Sequence, residues 1–243
     1  MLLIALLARP GVAVAASPDA PQVGEAELVV SLVRGRLGQI TRELAIKDNV
    51  YSEEVIETDA DAATRIVFVD GTELSMGPSS RMVLDRYVYD PNSGAGEMAM
   101  RMVTGVFQFA SGNIPSAGYD LGTPFGNLAI RGTVCDWVLD PARGAVIHCE
   151  DPGAGVSIRG VTITSDDNCV FLPVAGTGDP SFLDPADCQR ERAPVEQMVT
   201  LLEGPAPAAG PIVPEDDFPG GSSASAQRNE RSPGFGPSGG SPQ

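Results

Sequence analysis

Lysine is almost missing from this sequence: Lys47 is the only one, and the other cations are arginines. Cations of either kind are few, 16 Lys+Arg against 32 Asp+Glu, which leaves a net charge of -16. Nucleic acid and anionic membrane both need cationic surface to neutralise phosphate, so neither is expected as a partner. There is one histidine, His148, and any acid–base or triad scheme built on histidine rests on it alone. Phosphate loops, dinucleotide-type glycine patterns and paired catalytic carboxylates are all missing. No C-x-x-C spacing occurs, which together with the single histidine argues against zinc. After Ala8 no apolar run approaches the ~20 residues of a membrane span. No cofactor or metal is therefore expected, and the chain does not read as an enzyme.

What is present begins with "MLLIALLARPGVAVAAS". Leu2 to Ala8 form a short apolar run, and the alanines around Val14 are small enough for cleavage, so residues 1–16 are expected to be a signal peptide. The mature protein is then exported, to the periplasm or beyond, and its acidity keeps it soluble. Four cysteines fit such an oxidising compartment. Cys135 and Cys149 flank "DWVLDPARGAVIH", two strands about a turn at Asp140–Gly144, and folding there sets the two cysteines opposite each other. Cys169 and Cys188 would then close a second loop. This is the expected pairing among three possible ones, with buried free thiols as the alternative.

From about Glu27 to Val174 the signals are those of β-structure: short runs rich in β-branched and aromatic residues, set apart by Gly, Pro, Asn or Asp. Asp70-Gly71 reads as a two-residue hairpin turn in which both residues take positive φ. In "RIVFV" both parities are apolar, which predicts a strand covered on both faces and hence two packed layers. Glycine follows arginine or threonine at Arg34-Gly35, Thr104-Gly105, Arg131-Gly132 and Arg159-Gly160, and these are read as corners where strands bend between layers. "GTGDPSFLDPADCQRER" reads as loop that could hold a helical turn from Asp184-Pro185, and "APVEQMVTLLEG" predicts a helix over 194–203, with Pro194 near its first position and Gly204 as its C-cap. From Pro205 onward Pro, Gly, Ser and Ala dominate, and a disordered tail is expected. The organisation expected is thus a signal peptide (1–16), an all-β, two-layered domain (22–175), an extension with a short C-terminal helix (176–204) and a tail (205–243).

Several of these stretches resemble the FecR domain of bacterial envelope proteins. They are Val23-Gly24, "LAIKDNVYSEEVIET", "ATRIVFVDGTELSMGPSS", "VTGVFQF" and "YDLGTPFGNLAIRGTVCDWVLD". The most specific is the last, where Thr123-Pro124 precedes apolar-Arg131-Gly132-Thr133; Asp70-Gly71 carries a second landmark. Lys47-Asp48 stands where the family has Gly-Asp. The family's name-giving members join a cytoplasmic anti-sigma segment, a transmembrane helix and a periplasmic FecR domain that relays the state of an outer-membrane transporter. With neither of the first two evident, the resemblance implies a stand-alone, exported form.

Arg131 admits two readings: a fork for an acidic group on a ligand or partner, or donors for carbonyls left unpaired where the strand bends at Gly132. The second is preferred, because no convergent polar set surrounds it. His148 is read as a neutral strand histidine, and Asp90-x-Asn92-x-Gly94 as an Asx-type turn in preference to a calcium loop. Trp137 and Phe125 are read as core. The functional expectation is a non-catalytic interaction module that docks another envelope or secreted protein by a β-surface or edge strand. The helix would cover an edge or the open end of the core. Two alternatives stand: a component of a signal relay linked to an outer-membrane transporter, and a small-ligand or glycan binder stacking on Trp137, Tyr87, Tyr89 or Tyr119.

Overall fold

The computed structural model describes residues 20–130, 134–150, 156–164 and 169–204. Residues 1–16, the Arg131-Gly132-Thr133 landmark and the tail from residue 205 lie outside the described residues. In chain order the strands are β1 (Gln22–Val30), β2 (Val33–Leu37), β3 (Ile40–Glu43), β4 (Asn49–Tyr51), β5 (Val55–Thr58), β6 (Ala63–Phe68), β7 (Glu73–Met76), β8 (Arg81–Tyr89) and β9 (Gly96–Ala110). They continue with β10 (Tyr119–Thr123), β11 (Gly126–Leu128), β12 (Val134–Asp140), β13 (Gly144–Glu150), β14 (Val156–Ile158), β15 (Val161–Ile163), β16 (Cys169–Pro173) and β17 (Ser181–Phe182), and α1 (Pro185–Glu203) follows.

The longest strand, β9, belongs to two sheets. Its last residues pair with β7 and β12 in a first sheet ordered β17-β16-β13-β12-β9-β7-β6-β1-β4. Its first residues pair with β8 and β10 in a second sheet, β3-β2-β5-β8-β9-β10-β11. Gly105, at φ 110°, marks the switch. Met98, Met100 and Met102 face the core before it, Phe107 and Phe109 after it, so the inward parity reverses there. A side chain at 105 would run into Ser80, and the left-handed backbone favours glycine in any case. The corner expected at Thr104-Gly105 is real.

Arg131-Gly132 lies outside the described residues, and the two remaining pairs are not corners. Gly35 lies within straight β2, where the Glu54 carboxylate occupies the space of its missing side chain. Arg159-Gly160 is the two-residue turn between β14 and β15. The core between the sheets is one cluster built around Trp137, Phe107, Phe109, Ile56, Ile66 and Leu74. "RIVFV" is not covered on both faces. Ile66 and Phe68 are buried, Val67 is half-buried, and Val69 stays 60% exposed beyond the strand end.

The helix also departs from expectation. It starts at Pro185 instead of Pro194, because Asp184 caps it: its Oδ1 accepts from the Ala186 and Asp187 amides at 3.0 and 2.9 Å. Pro185 suits a first helical position, which leaves Pro194 in the interior, unable to donate to the carbonyl four residues back. That local loss is offset by packing. Val195, Met198 and Leu202 are buried against Ala63 and Val106, with Leu28, Val30 and Val138 beside them. The helix therefore lies on the outer face of the first sheet, neither at an edge nor over an open end. Nor does a boundary fall at 175/176, since β17 pairs with β16 and a disulfide joins Cys169 to Cys188. Gly204 is the C-cap, as expected. Among the described residues no helix is long and apolar enough to cross a membrane.

Candidate interaction surface

Asp70 was expected in a turn at positive φ, and the structure gives it a different task. Only Gly71 of the pair has positive φ, 83°. The loop closes by Gly71 N–H to Phe68 O (2.9 Å) and Phe68 N–H to Thr72 O (2.8 Å). Asp70 is fully buried. Its carboxylate accepts from the hydroxyls of Thr72 (2.6 Å), Tyr87 (3.0 Å) and Tyr119 (3.2 Å), and from the Thr72 amide (3.2 Å). Its own amide donates to the Tyr87 hydroxyl at 2.9 Å, while its carbonyl accepts from Asn113. Burial, reinforced by the Asp70 charge, pushes the Tyr119 phenol up to about 12 and raises Tyr87 as well. Both phenols thus stay protonated donors. The Asp-Gly-Thr landmark is a buried hydrogen-bond hub that ties the β6–β7 turn to β8 and β10.

The other landmarks also serve the frame. Thr123 and Pro124 open the β10–β11 turn, where the Thr123 hydroxyl donates to Gly126 O (2.8 Å) and accepts from the Phe125 amide (3.1 Å). Cys135 and Cys149 face each other across β12 and β13 and are bonded, as are Cys169 and Cys188. Asp90 accepts from the Asn92 amide and the Ser93 hydroxyl, an Asx turn whose bonds hold its carboxyl below the usual range. Trp137, Tyr87 and Tyr119 are buried and Tyr89 packs on the core, so none of them offers a stacking platform.

Under the helix lies a second buried carboxylate. Asp136 accepts from Arg192 of α1 at 2.7 Å and from Gln108 at 3.1 Å, and His148 Nδ1 lies 3.7 Å away. Burial pushes this carboxyl up, but the nearby His148 ring and the bonds from Arg192 and Gln108 outweigh it and hold it below the usual range. His148 is itself buried, and Cys169, opposite it on β16, is tied up in a disulfide.

Both flanks of the sandwich are closed. On one side Glu54, fully buried, takes Arg42 Nη2 at 2.9 Å and the Tyr51 amide at 3.0 Å, and burial raises its pKa despite them. The Arg42 guanidinium sits 5.4 Å above the Tyr51 ring. On the other side the β14–β15 hairpin inserts Val156, Ile158 and Ile163, while Arg159 donates to Pro173 O at 3.0 Å. The sequence gives no sign of these two closures, since each unites residues from separate strands. Edge strands are short: β17 has 2 residues, β4 and β11 have 3 each, β3 has 4. Short edges offer little backbone for an added strand.

Among the described residues nothing covers the outer face of the second sheet. Arg34 pairs with Asp59 (2.6 Å), Arg81 with Glu57, and Arg101 doubly with Asp85 (2.6 and 2.7 Å). Between them lie Val83 and Val103, half-buried. Beside Arg101 a cleft of about 380 Å³ opens over Gly122, bounded by Asp85, Asp120, Asn127 and the Thr123-Pro124 turn.

No curated protein matches the chain. Residues 54–151 match the family model described as FecR protein, a range that runs from Glu54 past Cys149 and takes in the Asp70 hub, the Thr-Pro turn and the strand shared by both sheets. FecR is a regulatory and signalling domain known from cell-surface regulators, and not a known enzyme family. Residues 54–151 are therefore similar to a FecR domain, and in the described residues they form the central part of a two-layered β-sandwich.

Proposed function

We propose that the protein is an exported, non-catalytic interaction module of the bacterial cell envelope. The observation that carries this reading is the uncovered outer face of the second sheet. It is broad and preorganised by Arg–carboxylate pairs, in a fold whose other outer face and flanks are occupied. Two disulfides accord with an oxidising compartment. Docking by face is favoured over docking by edge, because the edges are so short. The test is in-cell photo-crosslinking from Val83 on this face and from Glu196 on the helix. Capture of a defined protein from Val83 alone is expected; equal capture, or none from either position, overturns the reading.

The family match favours a second reading, a signal-relay component linked to an outer-membrane transporter. In that case the Val83 crosslinks change with transporter occupancy.

A further inference from the structure

On the uncovered face Arg34, Arg81 and Arg101 each meet a carboxylate, whereas Arg36 makes no ion pair and no hydrogen bond among the described residues. It is half-buried on β2, in one cross-strand row with Val55, Val83, Arg101 and Gly122. The strand order makes β8 the centre of this sheet, with β2 two strands to one side and β10 two strands to the other. Arg36 and the cleft over Gly122 are thus equidistant from Val83, at roughly 10 Å each. One end of the row holds a cation without a partner. The other holds the cleft between Arg101 and the Thr123-Pro124 turn, walled by exposed Asp120.

A two-fold axis running along β8 exchanges those two ends. We propose that a second copy of this chain docks on the face, in an isologous pair that seats each Arg36 in the partner copy's Gly122 cleft against Asp120. The complementarity is built in: residue i meets j and j meets i, as a two-fold interface requires. Val83 lies on the axis and meets itself, and Val55 faces the aliphatic stem of Arg101. This rests on the interaction-module reading and names its partner. The face spans roughly 500 Å² per copy, below the ~800 Å² of a standard interface, so the pair is weak and concentration-dependent. Each copy carries a charge of -16, so screening by salt should strengthen the association.

Analytical ultracentrifugation of the chain with both disulfides intact, up to about 200 µM, tests this. The native chain is expected to show a reversible monomer–dimer equilibrium. Arg36→Asp or Asp120→Arg alone should weaken it at least about tenfold, and the double exchange should restore it. Asp120 is exposed and Arg36 half-buried, and melting curves check that each variant folds. Val83→Lys, which sets two cations on the axis, should also abolish the dimer. A chain monomeric throughout, or a dimer indifferent to these variants, overturns the proposal. Crosslinking separates it from the broader reading: a Val83 crosslink to the same chain is expected. Capture of a different polypeptide by a monomeric chain overturns the dimer and leaves the interaction module standing. Capture of nothing overturns both.

Discussion

The two sheets share one core and finish their outer faces in opposite ways. The first is closed by α1, held covalently at Cys169–Cys188, ionically at Arg192–Asp136 and by the apolar stripe Val195, Met198 and Leu202. The second is left open, its polar groups mostly paired with one another at the surface. Apolar burial contributes per area removed from water, and exposed ion pairs contribute little. The helix-covered face therefore supports the fold, while the open face can change at small cost.

One strand carries both faces, so one substitution type separates them. Val106 lies under the helix and Val103 on the open face, on either side of Gly105 in β9. Val106→Asp is expected to cost more than about 3 kcal/mol, since it buries a charge without a partner. Val103→Asp should cost under about 1 kcal/mol. Urea unfolding with disulfides intact reads both, and equal losses would abolish the distinction between the faces.

The covalent clamp comes next. Replacing Cys169 and Cys188 together by alanine should lower stability by about 2–4 kcal/mol, the range for a loop of this size. A smaller loss means that the ion pair and the apolar stripe hold the helix without the bond.

Acid should act on the same face. Asp136 is held below the ordinary aspartate range in the folded protein. The stability it contributes is complete above the unfolded value of about 3.9 and is lost as pH falls through the lower folded value. The stability gap between the native chain and Asp136→Asn should therefore shrink on acidification below about pH 4. A gap independent of pH would mean that the charge of Asp136 is not what holds Arg192. Glu54, raised by burial, has the opposite sign: between the ordinary glutamate value and its raised one, falling pH favours the folded state.

Local signals carried the strands, the disulfide pairing and the Thr104-Gly105 corner, because alternation, turn residues and cysteine spacing act over a few residues. What depends on distant partners stayed hidden. Asp70 read only as a hairpin-turn residue, since its Tyr87 and Tyr119 donors lie 17 and 49 positions away. Pro194 looked like a helix start because proline favours that position, and only packing against the sheet explains its place inside. The aromatics could be read as a ligand platform until the inward parity of their strands was fixed. The Arg36 row follows from strand order, which no periodicity reports.

The smallest expected effect lies on a turn belonging to neither face, and it runs the other way. Lys47 has φ 72°. A left-handed conformation costs a non-glycine residue about 1–2 kcal/mol, and glycine gives back roughly 0.5–1 kcal/mol through its freer unfolded chain. The turn's main-chain bond, Lys47 N–H to Ala26 O at 2.8 Å, does not need the side chain. The Lys47–Glu25 ion pair is exposed and contributes little. Lys47→Gly should therefore stabilise the protein by about 0.5–1 kcal/mol, read as a higher urea midpoint. Because the turn leads into the edge strand β4 of the helix-covered sheet, a lower midpoint would mean that this sheet also depends on a surface ion pair, and the contrast between the two faces would weaken accordingly.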